Sequence, residues 1–189
     1  MPVQYPLGVM KEQLHCRAAA GLFDVSHMGQ VRVRAKSGSF EDAALAMERL
    51  VPVSVAGLQP MRQRYAMFTN EDGGILDDLM LANMGDDLFV VVNAACKDAD
   101  VALMRAGLAD DCTVEVLDDR ALLALQGPSA ESVLEAIAPG VAAMSFTGPK
   151  QSKAMQKLRY DLAMVRLLKC AQGQCPTLPV GQMRNSGTD

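Results

Sequence analysis

The chain has 189 residues, half of them hydrophobic and 21% charged, with a net charge of −4. That balance suits a globular fold of one domain or slightly more, with a core of useful size. It argues against nucleic acid as the main partner, because phosphate binding needs clustered Lys and Arg and no cluster occurs. The longest apolar stretch, Leu88 to Val92, is strand-sized, so no membrane helix is expected.

Five cysteines stand at Cys16, Cys96, Cys112, Cys170 and Cys175. Their number is odd and their spacing irregular, with no C-x-x-C pair. The pattern is neither a disulfide framework nor a zinc site, and reduced thiols in an intracellular compartment are expected. The start, MPVQYPLGVMKEQLH, lacks the apolar run of a secretory signal.

In chain order, Val9 to Ala20 reads as a short helix stopped by Gly21. GQVRVRA alternates as a half-buried strand. Ser39 is placed to cap a helix that begins with acidic residues and runs to about Leu50, ended by Pro52. Arg64 to Thr69 and Ile75 to Ala82 flank Asn70-Glu71-Asp72-Gly73-Gly74 as a hairpin, and Asn83 to Asp87 turns the chain into a strand at Leu88 to Ala94. A helix at Lys97 to Leu108, strands at Thr113 to Leu117 and Ala121 to Gln126, and a helix at Ser129 to Ile137 follow. Consecutive hairpins with interspersed helices predict an α+β fold built on antiparallel sheets with flanking helices. Beyond Ser145 the pattern weakens into a helix-like run, Lys153 to Leu168, and a Gly/Pro/Ser-containing tail from Ala171 that is expected to be poorly ordered.

Asp77-Asp78 is the pair of interest. Neighbours in a strand point to opposite faces, so one face carries Ile75, Asp77, Leu79 and Leu81, and the other Leu76, Asp78, Met80 and Ala82. The strand reads as buried on both sides, and a buried unpaired carboxylate is costly. The pair is therefore either hydrated near the turn or functional. Asn93 ends an apolar strand and either caps the next helix or offers its amide to a ligand. Tyr65 reads as a strand former. Ser26-His27 lacks a third orienting group, and His27 is expected to be structural. Phosphate loops and H-E-x-x-H are absent.

Several stretches together resemble the glycine cleavage system T-protein, the aminomethyltransferase family. They are MPVQYP, RAAAGLFDVSHMGQVRV, RYAMFTNEDGGILDDLML, VVVNAACKDAD and LLALQGPSAESVL, in family order over residues 1–145. The resemblance implies a tetrahydrofolate-binding domain over 1–145 and transfer of an aminomethyl carbon from the lipoyl arm of the H-protein to tetrahydrofolate, with release of ammonia. It implies that Asp77 is the catalytic carboxylate and that Tyr65, Asn93 and Met28 line the pterin pocket, with Asp78, Ser26 and His27 structural. It places the protein in a bacterial cytoplasm or a mitochondrial matrix. The family's G-Y-T-G-E strand and third domain have no counterpart here, and residues 146–189 do not resemble the family. A truncated, weakly active form is thus expected. The rivals are a non-catalytic fragment and other folate-binding relatives, namely the folate domains of sarcosine and dimethylglycine dehydrogenases and an iron–sulfur assembly protein.

Overall fold

A computed structural model describes residues 6–60 and 62–137, and the backbone alone of 163–165. The elements are α1 (Val9–Ala18), β1 (Gly21–Asp24), β2 (Gly29–Ala35), α2 (Phe40–Met47), β3 (Gln63–Thr69), β4 (Ile75–Asn83), β5 (Leu88–Val92), α3 (Lys97–Leu108), β6 (Cys112–Val116), β7 (Leu123–Gln126), α4 (Ala130–Ile137) and β8 (Ala163–Val165). They fall into two units, residues 24–119 and residues 1–23 with 120–189.

The 24–119 unit is a five-stranded sheet in the order β3-β4-β5-β2-β6, with every neighbouring pair antiparallel. The α+β, antiparallel expectation holds. Strand alternation sends Val31, Val33, Leu79, Leu81, Leu88, Val90, Val92, Ala66 and Phe68 to one side, where they pack with Ala43, Ala44 and Met47 of α2 and Val101, Met104 and Leu108 of α3. Full burial of each large apolar side chain stabilises the fold by about 1.5–3 kcal/mol. This single apolar layer therefore holds both helices against one face.

Local chemistry sets the element ends. The Ser39 hydroxyl accepts from the Asp42 amide and opens α2. The helix stops at Met47, short of Leu50, as Arg49 and Leu50 bond three residues back and tighten the last turn. Glu48 then accepts from the Val55 and Ala56 amides at 2.6 and 2.8 Å, which fixes the loop beyond. In the β3–β4 turn the Asn70 side chain accepts from the Gly74 amide at 2.6 Å, and Gly73 takes φ 77°. The pairing shifts by one residue between Phe68 and Thr69, so Leu76 is an extra residue in β4 immediately before Asp77.

The expectation that β4 is buried on both faces is corrected. Leu79, Leu81 and Asn83 are buried, but the alternate residues are half-buried or exposed and Ile75 is 66% exposed. An antiparallel strand with helices on one side only needs no more.

In the other unit, α1, β1, β7, β8 and α4 include a three-stranded sheet ordered β1-β7-β8. Strand β1 was not expected, because GLFD is too short to show a period. The Ser129 amide donates to the Ala19 carbonyl at 2.9 Å and ties the two chain segments together. Ala163–Val165 pairs with β7 as a strand, not as part of a helix, since the free edge of β7 offers ladder partners to an extended backbone. The rest of the Lys153–Leu168 run and the tail from Ala171 lie outside the described residues.

Candidate functional site

Register decides which of the candidate residues meet. Met67 pairs with Asp78, Leu79 with Val92, and Gly29 with Val92. One residue beyond the end of the β4–β5 ladder, Asn93 stands opposite Asp78. Met67 and Asp78 lie on the face away from α2 and α3, and the Asn93 side chain reaches Asp78 there. Met28 stands in the turn just before β2, its amide bonded to the Val25 carbonyl. Tyr65 pairs with Met80, two residues from Asp78, and so lies on the same face one row along. Cross-strand diagonals of this kind lie about 7–8 Å apart, within reach of a long side chain. The structure brings Asp78 and Asn93 together with Tyr65 beside Asp78, and it places Met28 one residue before β2 without a contact to them.

Asp77 stands elsewhere. It pairs with Phe68, a core residue, and so belongs to the helix-covered face. The two carboxylates have opposite surroundings: Asp78 is exposed, whereas the Oδ2 atom of Asp77 is buried.

Asn93 joins them. Its side-chain nitrogen donates to Asp77 Oδ1 at 3.0 Å, to Asp78 Oδ1 at 2.9 Å and to the Asp78 carbonyl at 3.0 Å. Because β5 ends at Val92, the Asn93 amide is free of the ladder and reaches around the backbone of β4. The expectation that Asn93 caps the next helix is corrected. Cys96 is the first residue of α3's cap and makes no side-chain cap bond, while Asn93 contributes only its backbone carbonyl to the turn.

Behind Asp77 lies Asp100, on α3 and 3% exposed. Burial pushes its carboxyl up to about 7, reinforced by a hydrogen bond to Asp77 and by that residue's charge. Burial also acts to raise Asp77, but hydrogen bonds from the Asn93 side chain, from Asp100 and from the backbone amides of Asp78 and Asn93 outweigh it and hold the group below the ordinary aspartate value. The Oδ2 atoms of Asp77 and Asp100 are buried without an ordinary donor, and the Cys96 thiol also hydrogen-bonds the Asp77 carboxylate. One proton between them satisfies both, with Asp100 the neutral donor and Asp77 the anion. Reading the sequence missed Asp100. The available signal was an acid on the same helical face as Met104 and Leu108, four and eight residues on.

Burial and then the charge of Asp78 raise the Tyr65 phenol above its usual range, so it stays a neutral donor. Tyr65 is 39% exposed. Ser26 donates to Asp24 through its hydroxyl at 2.6 Å and its amide at 3.0 Å. His27 is exposed in the same turn, so Ser26 and His27 form no nucleophile pair. An open groove of about 830 Å³ beside α3 and β6 is lined by Lys97, Asp98, Val101, Arg105, Val116 and Asp118, and none of Asp78, Asn93, Tyr65 and Met28 lines it. Among the described residues no cluster of His, Cys, Asp and Glu could hold a metal ion, and no helix is long and apolar enough to cross a membrane.

An antiparallel sheet backed by two helices on one face, with Asp78, Asn93 and Tyr65 on the other, defines an α+β domain with a polar open face. Comparison with known proteins sharpens this. The family described as "GCVT N-terminal domain" matches residues 1–147. The chain belongs to that family.

It is 44% identical over 143 residues to the mitochondrial aminomethyltransferase of Dictyostelium discoideum, covering 71% of this chain and 34% of that protein. It is 40% identical over 177 residues to the human mitochondrial aminomethyltransferase, covering 90% of this chain and 41% of that one. The solved glycine cleavage system aminomethyltransferase T of Bartonella henselae is 42% identical with a TM-score of 0.65, over 72% of this chain and 37% of that one. The chain thus spans little more than a third of the length of these relatives. The human alignment takes in more of the chain than residues 1–147 supply.

Proposed function

We propose that this chain forms the tetrahydrofolate-facing part of an aminomethyltransferase that moves the aminomethyl carbon of a lipoyl-bound donor on the H-protein to tetrahydrofolate, with loss of ammonia. The observation that carries this reading is Asp78, held by Asn93 and lying beside Tyr65 on one open sheet face. These residue types fit a reduced pterin. Met67 offers apolar surface to the ring, and the carboxylate and neutral phenol offer polar contacts at its edge.

Bound tetrahydrofolate would supply the nucleophilic ring amine. The protein's part is electrostatic. A carboxylate on the ligand face accepts the amine N–H and stabilises the positive charge that develops as the donor carbon becomes iminium-like. Shared placement with Tyr65 and exposure to the open face support Asp78 in that role, in place of Asp77, which the sequence alone favoured. Asp77 then acts from behind through Asn93. The Asn93 amide, donating to both carboxylates, keeps Asp78 aimed at the ligand. Tyr65, held neutral, stays available as a donor. A bacterial cytoplasm or the mitochondrial matrix is the compartment this chemistry calls for, and the relatives named mitochondrial fit the second.

A second reading, a folate-binding piece without turnover, is favoured by one observation: the chain covers only 34–41% of the relatives' length. Thermal unfolding with and without tetrahydrofolate tests the binding common to both. Ligand at a hundred times its dissociation constant should add about 2.7 kcal/mol to stability. No shift at millimolar tetrahydrofolate would end both readings.

A further inference from the structure

The core side of β4 faces a buried acid, away from the open face. Asp100 is almost fully buried on α3 and hydrogen-bonds Asp77, and the Oδ2 atoms of both carboxyls are buried without an ordinary donor. From Asp77 the contacts continue outward: Asp77 Oδ1 accepts from Asn93 at 3.0 Å, and Asn93 donates to Asp78 Oδ1 at 2.9 Å. A continuous chain of hydrogen bonds runs from α3 through the sheet to its open face.

We propose that Asp100 is a positioning residue, whose carboxyl proton locks Asp77 and through it fixes the Asn93 amide and the Asp78 carboxylate on the ligand face. The chain of contacts stands by itself; only the identity of what Asp78 meets rests on the function proposed above. With the proton in place, Asp77 Oδ2 is satisfied and Oδ1 is left to Asn93. When the proton leaves, two carboxylates face each other with their Oδ2 atoms shielded from water. Like charges at contact in such a medium repel strongly, so one side chain must turn away. Asn93 then loses its inner acceptor, and its hold on Asp78 loosens.

The charged and titratable groups around Asp100 are few. Asp77 faces it from β4. The Cys96 thiol at the start of α3 is pushed up by burial, then by the charges of Asp77 and Asp100 and by its hydrogen bond to Asp77, so it stays neutral and is a further donor to Asp77. Lys97, on the same helix, is engaged with Asp118 at 3.0 Å. Among the described residues neither Asp77 nor Asp100 makes an ion pair, and no charge from α2, β2 or β5 acts on Asp100. Nothing nearby neutralises the pair once the proton is gone, and the switch falls near pH 7.

The test follows the Asn93 side-chain amide by NMR in the whole chain between pH 5 and 9, without ligand. The Asn93 NH2 signals are expected to move with a midpoint near 7 in the native protein and in Asp78→Asn, and to stay fixed in Asp100→Asn, where the neutral isostere donates to Asp77 at every pH. In Asp77→Asn the midpoint should drop by more than one pH unit, since the partner charge is gone. A titration that persists in Asp100→Asn, or an Asn93 signal insensitive to pH in the native chain, overturns the proposal. Tetrahydrofolate affinity measured alongside separates the two ideas. If no binding is seen yet Asn93 still titrates through Asp100, the ligand reading fails and the positioning role stands. If binding is seen and Asn93 is silent, the reverse holds.

Discussion

Asn93 holds Asp78 at two points, donating to its carboxylate at 2.9 Å and to its backbone carbonyl at 3.0 Å. A side chain fixed at carboxylate and main chain together has little freedom left, and the same amide also grips Asp77. The site's geometry therefore depends on one asparagine bridging two faces of a sheet.

The two aspartates should separate on mutation. Asp78→Asn removes the charge on the ligand face and should weaken tetrahydrofolate binding roughly tenfold to a hundredfold, the ~1.5–3 kcal/mol of a hydrogen bond to a charged group. Asp77→Asn should cost less than Asp78→Asn, because its effect passes through Asn93. Titration of tetrahydrofolate against both variants checks this. A larger loss for Asp77→Asn would return the direct role to Asp77.

Asn93→Ala should destabilise the fold by about 1–3 kcal/mol, because the Oδ1 atoms of both aspartates lose a donor and Asp77 has little water to replace it. Urea unfolding against the native chain reads the difference. Asn93→Asp should be worse, since it adds a third carboxylate where two already meet.

Stability should depend on pH through Asp100. Folded Asp100 keeps its proton up to about 7, whereas an unfolded aspartate releases it near 3.8. Its contribution is therefore full below the unfolded value and is lost as the pH rises through 7. Asp77, held below the ordinary value, contributes above that value and loses its contribution as the pH falls through its lower folded one. The pair is best satisfied in weak acid. Melting temperatures at pH 5 and pH 8 should differ more for the native chain than for Asp100→Asn. Equal differences would contradict the shared proton.

Gly29, beside Met28, allows no side chain. A Cβ there would lie 2.5 Å from Val92 Cγ2 and 3.0 Å from Lys97 Cγ. Val92 is fully buried and has no room to move. Gly29→Ala should cost about 1–3 kcal/mol and displace the start of β2, carrying Met28 with it. Chemical denaturation gives the first effect, and a fall in tetrahydrofolate affinity the second.

Turnover by the chain alone should be more than tenfold below that of a full-length relative, ~1.4 kcal/mol or more in activation free energy. A ligand covered from one side stays hydrated, and a carboxylate acting through water at high dielectric loses much of its effect. Methylenetetrahydrofolate formation from aminomethylated H-protein is the assay. A rate within tenfold would mean that these residues assemble a complete site.

Sequence by itself determined the elements and the family. Period-two alternation in GQVRVRA, the Asn70–Gly74 turn, the Ser39 cap and the motif order are all local, and local patterns survive without knowing what packs on what. It also singled out Asp77, Asp78, Asn93, Tyr65 and Met28. What it could not decide was which aspartate lies on the open face, because alternation says only that the two point apart, not which face the helices cover. That follows from the register of β3, β4, β5 and β2, which is fixed by pairings as distant as Gly29 with Val92. The turning of Asn93 from helix cap to bridge, and the recruitment of Asp100 from α3, have the same origin. Both are contacts between elements distant in sequence, made only when α3 closes over the sheet and leaves two carboxyls sharing one proton.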